Sequence, residues 1–168
     1  MPKIIENLEN RLMMEARKQI ETIGYAAMTV RSVAAACGVG VGTVYNYYSS
    51  KDELTAAYML EDWDSCIAAV QAAGTGTSGP EPVLRCAYEQ LRVYVQRHQA
   101  VLMDDTAAAS FGGSFSRYHK ILRSQLAKPL EKFCPDMFLR EFIAEAMLTW
   151  TLAGKDFDEI YGVIRKLF

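Results

Sequence analysis

The sequence predicts an all-α fold in which an N-terminal three-helix helix-turn-helix domain is followed by a larger helical domain, with about nine helices in total. Apolar residues recur at helical spacing along most of the chain, and no segment shows sustained period-two alternation. Glycine- and proline-containing breaks divide the chain into segments of helix length. A length of 168 residues is enough to bury a real core. We therefore predict two domains, residues 1–50 and 51–168.

The first helix is predicted from about Lys3 to Ile23. Its apolar residues follow the three- and four-residue spacing of one buried face. The predicted inward stripe consists of Ile5, Leu8, Leu12, Ala16, Ile20 and Ile23.

The second and third helices are separated by a glycine turn. Thr29 is predicted to cap the second helix, because its hydroxyl can accept a hydrogen bond from an unpaired amide of the first turn. Gly38 is predicted to end that helix, since glycine adopts positive φ without a Cβ penalty. Val44 and Tyr48 are four residues apart, which places both on the buried face of the third helix. Two helices joined by such a short turn form a helix-turn-helix unit.

A longer pair of helices is predicted next. Ser50 and Glu53 have the spacing of a capping box, which predicts a helix from Lys51 to about Ala73. Residues 74–82 are rich in glycine, serine and proline and are predicted to form a loop. The following helical pattern starts near Pro82 and continues as far as Leu102.

Three further helices are predicted in the last third of the chain. Gly112-Gly113 is expected to interrupt the chain, either as the hinge of a pocket lid or as a simple helix end. Pro129 is expected to kink or end the helix that contains it. Gly154 separates the last two helices. The predicted bounds are about Ser116–Phe133, Pro135–Ala153 and Phe157–Phe168.

The segment from Phe138 to Trp150 is apolar around much of its circumference. One stripe contains Leu139, Phe142, Ile143, Ala146 and Trp150, and Phe138, Met147 and Leu148 widen it. Such a helix is expected to be buried on two sides. The second side packs either against another subunit or within the centre of a monomeric bundle.

Other sites are not indicated by the sequence. Cys37, Cys66, Cys86 and Cys134 form no C-x-x-C pair, so they are predicted to be reduced core residues, with an oxidation sensor as the alternative. His98 and His119 have no metal-ligand spacing, and we predict no metal and no cofactor. A small helical enzyme is the rival class, but no nucleophile elbow or phosphate-binding glycine loop is present. No run approaches the roughly 20 apolar residues of a membrane span and no leader pattern is present, which predicts a cytoplasmic protein.

The helix-turn-helix segment carries a series of short motifs in a fixed order. They are Val33-Ala34, Cys37-Gly38-Val39, Gly42-Thr43-Val44-Tyr45, Tyr47-Tyr48 and Ser50-Lys51-Asp52-Glu53-Leu54. In these motifs the chain resembles the tetracycline-repressor (TetR) family of bacterial transcription regulators, whose pattern is an apolar-alanine pair, then A-G-V, G-T-[LV]-Y, an aromatic pair and S-K-x-E-L. Cys37 replaces the usual alanine, and Gly40 stands where serine commonly caps the recognition helix. The resemblance covers roughly the first third of the chain.

The resemblance implies a DNA-reading surface. Positions matching Thr43 and Tyr45 often meet bases or nearby backbone, and Val41 and the Thr43 methyl suit thymine methyl groups. Tyr47 and Lys51 match phosphate contacts, and Arg31 matches a position that reaches a base or a phosphate. As alternatives, the two tyrosines pack on a neighbouring helix and Lys51 is a solvated cap residue. The implied DNA-binding residues are Arg31, Val41, Gly42, Thr43, Tyr45, Tyr47 and Lys51.

The charge balance argues against strong DNA binding by a single domain. The chain has 18 basic and 20 acidic residues, and within residues 1–54 the two signs cancel. Non-specific affinity for DNA depends on neutralising phosphates. A single reading head, residues 1–54 with no net charge, should therefore bind DNA weakly and need to act as a dimer. A helical protein-interaction scaffold that no longer touches DNA therefore remains an alternative.

The resemblance also implies the functions of residues 51–168. Relatives usually pair through C-terminal helices and commonly bind a small molecule in this domain, so we expect a homodimer on a near-palindromic double-stranded DNA operator and a ligand-responsive repressor, with an activator as the alternative. The expected effector is largely apolar or aromatic. Each pocket candidate is, alternatively, a plain core residue. The candidates are Tyr58, Met59, Trp63, Tyr88, Tyr94, Phe111, Phe115, Tyr118, Met147 and Trp150.

Overall fold

The structure, a computed structural model, describes residues 7–168, and the side chains of all of these except residues 112–118. The predicted all-α class is confirmed, and no strand occurs in residues 7–168. The α-helices are α1 Leu8–Ile23, α2 Val30–Cys37, α3 Val41–Tyr45, α4 Lys51–Gly74, α5 Glu81–Arg97, α6 Gln99–Leu102, α7 Asp105–Ala127, α8 Met137–Leu152 and α9 Phe157–Ile164. Short 3₁₀ segments follow at Lys128–Leu130 and Arg165–Leu167.

Most predicted helix limits agree with the structure, but the glycine pair does not. α7 runs without a break from Asp105 to Ala127, so the interruption predicted at Gly112-Gly113 is wrong. Glycine costs only about 1 kcal/mol in a helix interior, which the alanine-rich start of α7 tolerates. Pro129 does end this α-helix, because the chain changes to 3₁₀ geometry at Lys128. The predicted start at Lys3 lies outside the described residues.

The helical pattern that reaches Leu102 consists of two helices rather than one. α5 ends at Arg97, and the short α6 begins at Gln99. Between them lies His98, which is buried against the ring of Tyr58 with ring centroids 5.5 Å apart.

The chain packs as two compact units. The described residues up to Glu61 form the first unit together with His98–Gly112, and the second comprises Asp62–Arg97 and Gly113–Phe168. These are units of packing. The functional division at residue 50 remains a prediction.

The core of the first unit is formed mainly by α1, α2, α3 and the start of α4. Leu8, Leu12, Ala16 and Ile20 form the buried stripe of α1, as predicted. The prediction for Ile23 is wrong, since this residue is 54% exposed. It is the last residue of α1, and Gly24 leaves the helix with a positive φ of 86°. Ile5 lies outside the described residues.

The core of the second unit is built from α4, α5, α7, α8 and α9. α8 contributes Ile143, Ala144, Met147 and Leu148 to it. The opposite side of the same helix carries exposed large apolar residues, among them Phe138, Phe142 and Trp150. Within this chain α8 is therefore buried on one side only. No helix in the part of the chain that the structure describes has the length and apolar character to cross a membrane.

Candidate nucleic-acid interface

Two local motifs fix α2 and the turn after it. The Thr29 hydroxyl accepts a hydrogen bond from the Ser32 amide at 3.0 Å, and the Ser32 hydroxyl accepts one from the Thr29 amide at 3.1 Å. Gly38 then adopts a left-handed conformation with φ 68°. The amide of Val39 donates to the carbonyl of Ala34 at 3.0 Å, which completes a helix-ending motif. Both caps predicted from the sequence are confirmed.

α3 is short and is held by its buried face. Val44 is fully buried and Tyr48 is 4% exposed, so both insert into the core of the first unit. Gly40 precedes α3 without a side-chain hydrogen bond to its first turn. Packing rather than capping therefore holds α3 in place.

The opposite side of α3 is open to solvent. Tyr45 and Tyr47 are 52% and 44% exposed. Gly42 is also exposed, and a Cβ added to it would meet no atom within 4 Å. Val41 and Thr43 are half-buried. About half of each tyrosine is therefore accessible to a partner.

Asn46 belongs to this surface, although the family pattern did not single it out. It is exposed and lies four residues after Gly42, so the two are one helical turn apart. Its side-chain amide makes no hydrogen bond to any residue that the structure describes, and in residues 7–168 the same holds for the side chains of Arg31, Tyr45 and Tyr47. The four-residue spacing from Gly42 was the signal that could have identified it.

Lys51 is engaged by the protein itself. Its ammonium donates hydrogen bonds to the carbonyls of Tyr25 at 2.7 Å, Met28 at 3.2 Å and Ala26 at 3.5 Å. It also lies 4.1 Å from the centroid of the Tyr25 ring. An ammonium has three donors, so all of them are directed at the loop between α1 and α2.

Tyr25 is the centre of the junction between this loop and α4. It is fully buried, and its hydroxyl donates a hydrogen bond to the Asp52 carboxylate at the start of α4. Its ring lies 6.1 Å from that of Phe111, measured between centroids. Burial and this hydrogen bond raise the pKa of Tyr25 above its usual range.

The predicted capping of α4 is present but differs in detail. The Ser50 hydroxyl accepts from the Glu53 amide at 3.0 Å, as a capping box requires. The Glu53 carboxylate accepts from the amide and hydroxyl of Ser49, each at 2.6 Å, rather than from Ser50. These hydrogen bonds lower the pKa of Glu53.

The predicted effector residues lie in both units. In the first, Tyr58 is buried beneath the guanidinium of Arg17, Met59 is half-buried, and Phe111 packs on Tyr25. The second contains four core residues or core neighbours, Trp63, Tyr88, Tyr94 and Met147, while Trp150 is half exposed on α8. Phe115 and Tyr118 lie outside the described side chains.

The aromatic residues of the second unit are closely packed. The Trp63 indole donates to Gln125 at 2.6 Å, and its ring meets that of Tyr94 edge to face. The Tyr88 hydroxyl donates to the carbonyl of Lys155 at 3.1 Å. A cavity of about 490 Å³ lies elsewhere in this unit, bordered by Gln71, Gly74, Thr75, Lys128, Pro129, Glu131 and Lys132. None of the predicted effector residues borders it.

The cysteines are free thiols. Cys37, Cys66 and Cys134 are buried as predicted, whereas Cys86 is half-buried. Burial raises the pKa of Cys37, Cys66 and Cys86, which keeps these thiols protonated. Among the residues that the structure describes, no group of three histidine, cysteine or acidic residues is placed to hold a metal ion.

Comparisons with known proteins agree with this geometry. A family model described as bacterial regulatory proteins, tetR family, matches residues 12–58. The whole chain is similar to a TetR-family transcriptional regulator from Streptomyces coelicolor, at 16% identity and TM-score 0.61 over 95% of this chain and 94% of that one. A TetR-like regulator from Rhodococcus sp. RHA1 gives 20% identity and TM-score 0.57 over 98% and 96%. The fatty acid degradation regulator FadR from Bacillus halodurans gives 17% identity and TM-score 0.54 over 95% and 91%. No curated protein matches the chain.

Proposed function

We propose that this chain is a ligand-responsive repressor, because residues 12–58 match a model of the tetR family of bacterial regulatory proteins and the chain has the fold of such regulators. It binds a near-palindromic operator as a homodimer, and the α3 of each subunit enters the major groove of one half-site. The observation that carries this proposal is the open side of α3.

The open side of α3 has the chemistry of a DNA-binding surface. Tyr45, Asn46 and Tyr47 are exposed and present hydrogen-bonding groups that no described residue engages. Such groups can reach base edges and phosphates. Arg31 adds an exposed positive charge at the start of α2, and no residue within 7–168 pairs with it. We propose Arg31, Val41, Gly42, Thr43, Tyr45 and Tyr47 as direct contacts, and add Asn46.

Lys51 is proposed to act differently from the other residues of this set. Since its three donors are directed at loop carbonyls, a phosphate contact would have to break one of these hydrogen bonds. We propose that Lys51 positions the reading head on α4.

The exposed side of α8 supports the homodimer. Phe138 is 78% exposed, Phe142 53% and Trp150 50%. Exposed aromatic patches of this kind mark interaction surfaces. Glu145 lies on the same side, and His119 and Arg123 pair with it at 3.3 Å and 3.6 Å, so its charge is compensated within the chain. A dimer with two reading heads would supply the DNA affinity that a single head lacks. Its two recognition helices, one α3 from each subunit, would lie roughly 34–36 Å apart.

The proposed effector is a small, largely apolar or aromatic molecule held by the second unit. Support comes from the concentration of aromatic side chains around Trp63, Tyr88 and Tyr94. A structural neighbour named as a regulator of fatty acid degradation is consistent with a lipophilic ligand. Because these rings are packed together, the ligand has to displace them, which links binding to a change in helix packing.

A second candidate function is favoured by one observation, the neutral charge of residues 1–54. A scaffold that binds another protein rather than DNA needs no excess of positive charge on its N-terminal domain. An activator, by contrast, would use the same reading surface as a repressor.

A fluorescence-anisotropy titration against the DNA that flanks the chain's own gene separates these candidates. The regulator predicts salt-dependent binding to a two-fold-symmetric site. Absence of sequence-specific binding at low salt would exclude the regulator and leave the scaffold. Transcription from the bound promoter, with and without the protein, then distinguishes repression from activation.

A further inference from the structure

We propose that the base pairs beneath α3 in each operator half-site are A·T pairs, read by Val41, Thr43 and Asn46. This inference rests on the proposed DNA-binding function and specifies the class of operator. It follows from which side chains the open side of α3 offers and which it lacks.

The helical positions define the reading face. Val44 and Tyr48 point into the core, and Gly42 and Asn46 lie on the opposite side of the helical turn. Thr43 borders this outward line. Because a Cβ added at Gly42 would meet no atom within 4 Å, the backbone itself is open to approach there. Asn46 follows one turn later.

The chemistry of this face matches adenine and thymine. Asparagine forms a paired hydrogen-bond contact with the N6 and N7 atoms of adenine, and apolar groups contact the thymine methyl. The side-chain amide of Asn46 has no hydrogen-bond partner among the residues that the structure describes, so it can make that contact without losing another. Val41 and Thr43 are partly exposed, and their methyl groups are the apolar groups that we propose for this contact.

The side chains that select G·C pairs are missing from α3. Guanine is most often read by arginine or lysine, and cytosine by an acidic side chain. Residues 41–47 have the sequence VGTVYNY and contain none of these types. Arg31, at the start of α2, is the residue of the proposed surface that is suited to guanine, so we expect a guanine only at the position that Arg31 reaches.

In vitro selection of random-sequence duplexes with the full chain tests this proposal. The enriched half-site should have consecutive A·T pairs at its centre. In anisotropy titrations, replacing one central thymine by uracil removes only the methyl group and should weaken binding about fourfold, from the burial of one methyl. Replacing the pair contacted by Asn46 with G·C should weaken binding about tenfold.

Two variants assign the effects to residues. Asn46→Ala should bind the original duplex and the G·C-substituted duplex about equally, because the discriminating amide is gone. Gln96→Ala removes an exposed amide of α5, outside the reading surface, and should keep the preference of the unchanged chain.

The outcomes separate this inference from the proposed function. An enriched site with G·C pairs at its centre, or insensitivity to uracil together with an unchanged preference in Asn46→Ala, would overturn the A·T proposal while leaving the regulator intact. If no sequence is enriched over the starting library, the DNA-binding function fails, and this inference fails with it.

Discussion

The ammonium of Lys51 lies 4.1 Å from the centroid of the Tyr25 ring and donates a hydrogen bond to the Tyr25 carbonyl at 2.7 Å. The first residue of α4 is thereby fastened to the loop between α1 and α2. The next residue, Asp52, accepts a hydrogen bond from the Tyr25 hydroxyl. Two consecutive residues of α4 therefore hold one buried tyrosine, which fixes the reading head to the start of α4.

Lys51→Met should destabilise the chain, because it leaves three loop carbonyls without their shared donor. The expected loss is about 1–3 kcal/mol in the free energy of unfolding. Urea unfolding at neutral pH measures it. Lys18→Met removes an ammonium whose side chain is 76% exposed and should change stability far less.

The salt dependence of DNA binding tests the same lysine in another way. If Lys51 only positions the head, the slope of log affinity against log salt should be the same in Lys51→Met and in the unchanged chain. A slope smaller by about 0.9 per lost phosphate contact would show that Lys51 neutralises phosphate.

Tyr47→Ala should weaken operator binding with little change in melting temperature. Tyr47 is 44% exposed and its hydroxyl has no partner among the described residues, so removing the side chain breaks none of its hydrogen bonds within the fold. Anisotropy and thermal unfolding measured on the same sample provide the two readouts. An equally tight complex would remove Tyr47 from the interface, whereas a large fall in melting temperature would make it structural.

Gly42→Ala should move stability and DNA binding in opposite directions. At an exposed helical position alanine stabilises the helix by about 1 kcal/mol relative to glycine. The added Cβ would meet no atom within 4 Å. At the proposed groove contact the same methyl separates the backbone from DNA. We expect a higher melting temperature and a weaker complex. A variant that is more stable and binds as well as the original would place Gly42 away from DNA.

Alkaline pH should destabilise the chain through Tyr48. Burial, followed by the nearby charge of Glu9, raises the pKa of Tyr48 from its usual value of 10.0 to about 12. Since the folded state holds this proton more tightly than the unfolded chain, the contribution is complete below pH 10 and is lost as the pH rises through about 12. Between pH 8 and pH 12, the free energy of unfolding measured in urea should therefore fall less in Tyr48→Phe than in the unchanged chain, by on the order of 2 kcal/mol. Equal losses in both proteins would contradict this assignment.

Phe142→Glu should weaken dimer formation without unfolding the second unit. The side chain is 53% exposed in the single chain, so a carboxylate there remains solvated in the monomer but is buried without a partner in the dimer. Sedimentation velocity over a concentration series measures the dissociation constant. Val93→Glu, at a position 49% exposed on α5, is the matched control. A dimer as tight as that of the unchanged chain would exclude this side of α8 from the interface.

The helix-turn-helix was predictable because its signals are local. Thr29, Gly38 and Ser50 act on amides and carbonyls within a few residues of themselves, and each makes the predicted backbone contact. The prediction of a break at Gly112-Gly113 is wrong because glycine disfavours a helix only weakly, so the helix-forming residues around the pair keep α7 continuous. Ile23 fits the apolar spacing, but the turn at Gly24 removes it from the core.

The roles of single side chains on the candidate surface depended on contacts that sequence spacing does not show. Lys51 meets carbonyls 23 to 26 residues away in sequence. The family pattern does not mark Asn46, and only its four-residue spacing from Gly42, opposite the buried Val44 and Tyr48, places it on the outward side. Aromatic pocket candidates were equally consistent with plain core, and Trp63 and Tyr88 indeed pack in the core of the second unit.

The central claim is that the open side of α3 reads base sequence in a two-fold site. Its most direct test is an anisotropy titration of the full chain at about 0.15 M salt against the selected near-palindromic duplex and against a duplex of equal length with both half-sites scrambled. We predict binding to the selected duplex at least about 1,000-fold tighter. Equal affinity for the two duplexes would contradict the claim.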